Sequence, residues 1–356
     1  MKKCLYLTLV LNLLSLTCCT SQKTTTNTLN NSLDSLLQTT VAEGQSPGVA
    51  VAVVSSSTVL YSKAFGIKEI GESTPLQTTD AFDFSSIVKT VVSTAMMQLV
   101  EQGDVELDRS GGDYLPILTG DLSKPSVKQM LSHSSGIQFS KKEPTTDGSL
   151  RTDDLMLANP PGSKLQYSNA AFYTLGKMIA QQTDVSFTEY VSNQIFNPIG
   201  MRHSSVASFN EIDNLSTPHT FGDNGLETVL RPDVAQRKIG NGIFYSTIED
   251  MALWAQAHLN KGTLGKEKIL NTDSYDQLWT PNLETGWDDM KAAAGLGWFI
   301  GTVNGKMTAS HIGGTDGYSA ALVIFPEDDR ALVIAGNSNK LPREALITAI
   351  SKLIFP

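Results

Sequence analysis

The residues best suited to chemistry in this 356-residue chain are Ser86 and Lys89, in the run Phe84-Ser85-Ser86-Ile87-Val88-Lys89. Three positions apart at the start of a predicted helix, their side chains share one face, a turn from each other. A serine hydroxyl is a weak nucleophile that needs a base beside it, and a lysine stripped of water can take its proton. The positive end of the helix dipole would also favour an oxyanion forming at Ser86. Taken alone, the pair has a plainer reading: a helix-capping serine beside a solvated lysine. Ser85, outside the Ser-x-x-Lys spacing, is expected to be dispensable.

Two further clusters bear on that choice. Tyr167-Ser168-Asn169 follows Pro160-Pro161-Gly162, a loop that would deliver a hydroxyl and an amide. A tyrosine near a lysine can have its pKa lowered and serve as general base, while the Asn169 amide can hold a substrate carbonyl. His311-Ile312-Gly313-Gly314 ends a predicted strand, where glycines let a substrate lie against the backbone. Gly314 could offer a second N–H to an oxyanion. Each cluster has a bland reading: a core tyrosine in a turn, a satisfied buried histidine, a loop glycine. All three in one chain point to acyl transfer.

Competing chemistries lack their residues. The chain holds no HExxH, P-loop, GxGxxG or GxSxG, and its 3 cysteines (Cys4, Cys18, Cys19) all precede residue 20. The folded body therefore has no disulfide and no cysteine zinc site, and no metal or cofactor is expected. Of the other histidines, His133 reads as a loop brace, and His203, His219 and His258 as surface or capping residues. The 4 tryptophans read as core, Trp298 having the best claim on a cleft.

The elements that must position these groups can be read from periodicity. Leu29, Leu33, Leu36, Leu37 and Val41 mark an amphipathic helix over 29–43, ending at Gly44. Gly48–Val54 and Thr58–Tyr61 form a predicted hairpin. Residues 86–102 turn helical, with Gly103 as C-cap. Further helices are predicted near 126–132, 170–182, 187–194, 247–260 and 273–279. Strands return at Gly297–Gly301, Lys306–His311, Ser319–Phe325 and Arg330–Gly336, and a helix over Arg343–Leu353 closes the chain. Strands at both ends around a helical middle predict an α+β fold, one sheet built by both termini with a mostly α insertion.

Composition, 40% hydrophobic and 18% charged, is that of a globular protein. The net charge of −9 and the sequence pI near 5.1 argue against nucleic acid as a partner. Met1-Lys2-Lys3 and the apolar run Leu5–Leu16 resemble a signal peptide, too short to span a bilayer. Leu16-Thr17-Cys18-Cys19 resembles a lipoprotein cleavage box, with Cys19 the lipidated residue. Residues 1–18 are then a leader, 19–31 a flexible tether and 32–356 the folded domain, its α/β part near 32–80 and 290–356, its α-rich part near 81–289. A protein so anchored would sit in a bacterial cell envelope, with the outer membrane, facing the periplasm, as the expected site. It is expected to act as a monomer.

Several blocks in order resemble the serine β-lactamase-like and penicillin-binding hydrolases of the class C type: Phe82–Leu107, Met130–Ile137, Pro161–Gly176, Phe196–Met201, Gly240–Trp254 and His311–Ser319. The resemblance implies the β-lactamase/transpeptidase-like fold, an antiparallel sheet with flanking helices plus an all-α region. It implies Ser86 as nucleophile, Lys89 as its activating partner, Tyr167 as general base, Asn169 as amide holder, and His311, Gly313 and Gly314 as the strand-borne element. One departure matters: class C β-lactamases usually carry Lys-Thr-Gly where this chain has His311, whose charge is partial near neutral pH. Efficient β-lactam hydrolysis is therefore in doubt, and D-amino-acid peptides, esters and β-lactams all remain candidate small-molecule or peptide substrates. The rival expectation is a non-catalytic wall- or partner-binding lipoprotein that keeps the fold; an intact set of Ser86, Lys89, Tyr167 and Asn169 argues against it.

Overall fold

The structure, a computed structural model, describes residues 28–140, 150–207, 212–223, 225–229 and 243–355. The leader, Cys19 and the first part of the tether lie outside the described residues. A helix already covers residues 28–42, so residues 28–31, read from sequence as tether, belong to the folded body.

Among the described residues, eight strands form one antiparallel sheet in the order Leu283–Glu284, Ala293–Ala294, Phe299–Val303, Lys306–Gly314, Ser319–Phe325, Arg330–Gly336, Gly48–Val54, Val59–Gly66. The pairing of Gly48–Val54 with Arg330–Gly336 joins the two ends of the chain, Val51 opposite Ile334. This is the α+β sheet expected from both termini. Past their first residues, the strands Ser319–Phe325, Arg330–Gly336 and Gly48–Val54 are apolar because both faces are covered, and the side-chain period of two sorts them. Val49, Val51, Val53, Val323, Leu332 and Ile334 pack against Leu33, Leu37, Leu346, Ile347 and Ile350 of the terminal helices. Ala50, Ala52, Ala320, Leu322, Ala331, Val333 and Ala335 face the other way, into the larger core shared with the helical insertion. Small residues on that face let the helix Ile248–Leu259 lie close to the sheet.

The insertion is organised around the helix Val88–Gln102, in which every residue from Val88 to Leu99 is buried. Its internal hydroxyls are satisfied within the helix: Thr90 donates to the Ile87 carbonyl, and Thr94 to that of Thr90. Gly103 closes it in the left-handed region at φ +82°, as its position predicted. No helix among the described residues is long and apolar enough to cross a membrane.

Candidate active site

The strand Ala81–Asp83 pairs with Tyr245–Thr247 and runs into a 3-10 turn, Ser85–Ile87, which feeds the central helix. Ser86 therefore sits at the helix entrance. Lys89, one turn on, is carried into the core with no solvent exposure. Its Nζ lies 3.3 Å from Ser86 Oγ, 4.9 Å from the Tyr167 ring centre and 5.6 Å from that of Phe172. Burial among these rings disfavours the ammonium form and lowers the Lys89 pKa from 10.5 to about 7. An amine able to accept a proton is thus substantially populated at neutral pH.

Tyr167 reaches the same point from the insertion. Its loop is fixed by hydrogen bonds from Gly162 N–H to the Ser134 carbonyl (2.7 Å), from Gln166 N–H to the His133 carbonyl (2.8 Å) and from the Gln138 side chain to the Tyr167 carbonyl (3.1 Å). His133 braces the loop, as expected. The Ser168 N–H donates to its Nδ1 at 3.1 Å, and its ring centre lies 4.4 Å from that of Tyr167. The Tyr167 hydroxyl is hydrogen-bonded to Ser86. The expectation of a lowered Tyr167 pKa is corrected: burial raises it, outweighing the Ser86 hydrogen bond. Tyr167 is a phenol at neutral pH, so the lysine is the better proton acceptor. Asn169 opens the helix Asn169–Thr183, capped by Ser168, with an exposed side chain.

The third element comes from the sheet. His311 alternates with Ala309 and so faces the insertion core. It is buried, its pKa lowered to about 3 first by desolvation and then by Lys89, with smaller effects of Lys291 and Arg343. The partial charge expected near neutral pH is therefore absent. The His311 Nδ1 atom is 2.8 Å from the Ile312 carbonyl; a carbonyl accepts only, so the proton is on Nδ1 and Nε2 presents a lone pair. Gly313 is required by contact: a Cβ there would stand 2.0 Å from the Phe84 carbonyl oxygen.

Some expectations did not survive the packing. His219 and His258 are fully buried rather than superficial: His219 accepts from Ile70 N–H, and the His258 Nδ1 is 2.9 Å from the Tyr275 hydroxyl. His203 is exposed. Trp298 is core, beside His258 and Trp279. The tryptophan near the site is Trp287, 48% exposed, its ring 5.3 Å from Phe299, which in turn lies 5.3 Å from His311. Ser85 is no idle neighbour: it is buried, with φ +48°. Nothing in periodicity marks either residue: Trp287 meets Phe299 only through the folding of the sheet edge, and Ser85 is tied to Gly314, more than 200 positions away.

The sequence profile described as Beta-lactamase matches residues 33–353. Over 330 residues the chain is 24% identical to Protein flp of Staphylococcus aureus (strain N315), covering 88% of this chain but 64% of that protein's length. Two solved structures share the fold: EstCE1, a hydrolase with promiscuous acyltransferase activity (TM-score 0.80, 18% identical, 93% of this chain and 99% of that one), and D-amino acid amidase from Ochrobactrum anthropi SV3 (TM-score 0.78, 18% identical, 92% and 99%).

Proposed function

Because the chain belongs to the β-lactamase family, a family of serine hydrolases, we propose that it cleaves uncharged amides and esters, D-amino-acid derivatives among them, through an acyl-serine at Ser86. The observation that carries this reading is the buried Lys89 amine, 3.3 Å from Ser86 Oγ with a pKa near 7. As Oγ attacks the substrate carbonyl, its proton passes to the Lys89 amine. The oxyanion is held by the N–H groups of Ser86 and Gly314. The tetrahedral centre collapses, the bond to the leaving nitrogen or oxygen breaks, and the Tyr167 hydroxyl gives that atom its proton. The Lys89 ammonium re-protonates Tyr167. Hydrolysis of the ester reverses the sequence: water replaces the leaving group and gives its proton to the same unit. Asn169 is assigned to the substrate amide, and His311, with Gly313 and Gly314, to the wall against which the substrate lies.

Neutral His311 supports the preference for uncharged substrates, since it supplies no fixed cation for the carboxylate of a β-lactam. Hydrolase and amidase relatives of the same fold are consistent with that preference. Anchoring of the enzyme to a bacterial envelope membrane through Cys19, facing the periplasm, is supported by the apolar run and cleavage box that precede it. Cys19→Ala should move the protein from the membrane fraction to the soluble one, or leave it unprocessed. A wild type that is soluble and carries no acyl mass would refute the anchor.

Intact-mass measurement after incubation with an activated ester, a D-Ala-D-Ala peptide and penicillin tests the substrate class. The uncharged ester should turn over faster than the peptide and penicillin, which both carry a carboxylate. A long-lived penicilloyl adduct with no ester or peptide cleavage would place the chain with penicillin targets instead, and no reaction with any of them would favour a non-catalytic role.

A further inference from the structure

Ser85 carries ties that the Ser-x-x-Lys pattern does not ask for. It is 4% exposed and holds φ +48°, a left-handed conformation that a serine adopts only when its surroundings impose it. Its N–H donates to the Asp83 carboxylate at 2.8 Å, and its hydroxyl donates to the carbonyl of Gly314 at 3.1 Å. That second bond crosses from the nucleophile's turn to the end of the Lys306–Gly314 strand. Beside it the two backbones already touch, at Gly313 and the Phe84 carbonyl.

The ladder shows what the bond does. Thr315 N–H donates to the Tyr318 carbonyl, so Thr315 directs its backbone groups toward the strand Ser319–Phe325. In an antiparallel ladder successive residues alternate in that direction. Gly314, paired opposite Ser319, therefore turns both its N–H and its C=O to the opposite side. On that side the last strand pair is Phe299 with Ser310, so Gly314 lies beyond the reach of any neighbouring strand. The Ser85 hydroxyl takes the Gly314 carbonyl, and the Gly314 N–H on the same side is left without a strand partner. Ser86, next in the chain, lies in the first turn of the helical run, where N–H groups have no helical acceptor.

We propose that Ser85 is a positioning residue for the oxyanion hole. By holding the Gly314 carbonyl, its hydroxyl fixes the Gly314 N–H at a set distance from the Ser86 N–H, so one Ser85-Ser86 dipeptide aligns both donors. Ser85 touches no reacting atom; it acts through Gly314. The catalytic use of this clamp rests on the reading of Ser86 as the acylated nucleophile, whereas the clamp itself is a feature of the backbone.

The test compares wild type with Ser85→Gly, because glycine accepts φ +48° without strain and removes only the hydroxyl. Three quantities are read: the rate of labelling by a fluorophosphonate, the affinity for an arylboronic acid that forms a tetrahedral adduct, and the position of the Gly314 amide peak in a 15N-glycine spectrum. Deleting a whole oxyanion donor costs about 10²–10³-fold, so a displaced donor should lower both labelling rate and boronate affinity by roughly 10-fold. The Gly314 peak should move while that of remote Gly200 stays. A Ser85→Gly protein labelled within about twofold of wild type overturns the clamp, and so does a slower variant whose Gly314 peak has not moved. A wild type that is not labelled at Ser86 overturns instead the acyl-transfer reading, and the clamp's catalytic use falls with it.

Discussion

Lys89 is where burial and function pull in opposite directions. Its ammonium form is disfavoured by the apolar rings around it, which brings its pKa from 10.5 to about 7. Below about pH 7 the amine is protonated in both folded and unfolded chains, and the fold bears the full desolvation of the charge. Between about 7 and the unfolded value near 10.5 that burden fades as the native amine loses its proton first. Lys89→Met should therefore be more stable than wild type at pH 7, with the gap closing as pH rises toward 10. The same substitution should slow acylation at least about 10³-fold. In wild type, acylation should rise with pH through about 7 and then level off; melting curves and labelling rates measured side by side check both signs. The Ser86–Lys89 spacing was legible because one helical turn fixes it locally. The protonation states of Tyr167 and His311 were not, since they depend on which distant rings and backbone shut out the water.

At the scale of elements, the site is a junction between a sheet strand and a helix entrance, and Gly313 is where they meet. Gly313→Ala would put a methyl 2.0 Å from the Phe84 carbonyl oxygen, a contact that only separation of strand and turn can relieve. Because that separation moves the oxyanion donors apart, labelling should fall about 100-fold, more than any loss of stability at the site would suggest. Normal labelling by a folded Gly313→Ala protein would show that the junction is loose. The strands Ser319–Phe325 and Arg330–Gly336 were readable to the residue, as seven-residue, mostly apolar runs between turn residues. The strand before them was read only to His311, although it continues to Gly314, because glycines carry no strand signal and are held there by tertiary contact. Val59–Gly66 likewise outran its predicted end at Tyr61, since its half-buried outer face breaks the apolar pattern.

For the molecule as a whole, three histidines are sealed inside neutral. His258 and His311 are lowered to about 3 and His133 lies well below its usual value, each chiefly by desolvation. Their unfolded counterparts take up protons near pH 6.5, so acid favours unfolding: stability is complete above about 6.5 and falls as pH drops toward 3, by up to about 1.4 kcal/mol per pH unit for each histidine. Thermal melts from pH 6.5 to 4, below the Lys89 transition, should show that decline, and His258→Phe should flatten it; a flat wild-type profile there would mean that these rings are wet. The sheet, the core helix and the site all serve one event, acylation of Ser86. The most direct measurement is peptide mapping by mass spectrometry after fluorophosphonate treatment of wild type and Ser86→Ala. The adduct should fall on Ser86 alone and vanish in the variant, while an adduct that persists in Ser86→Ala, on Ser85 or any other residue, would contradict the mechanism.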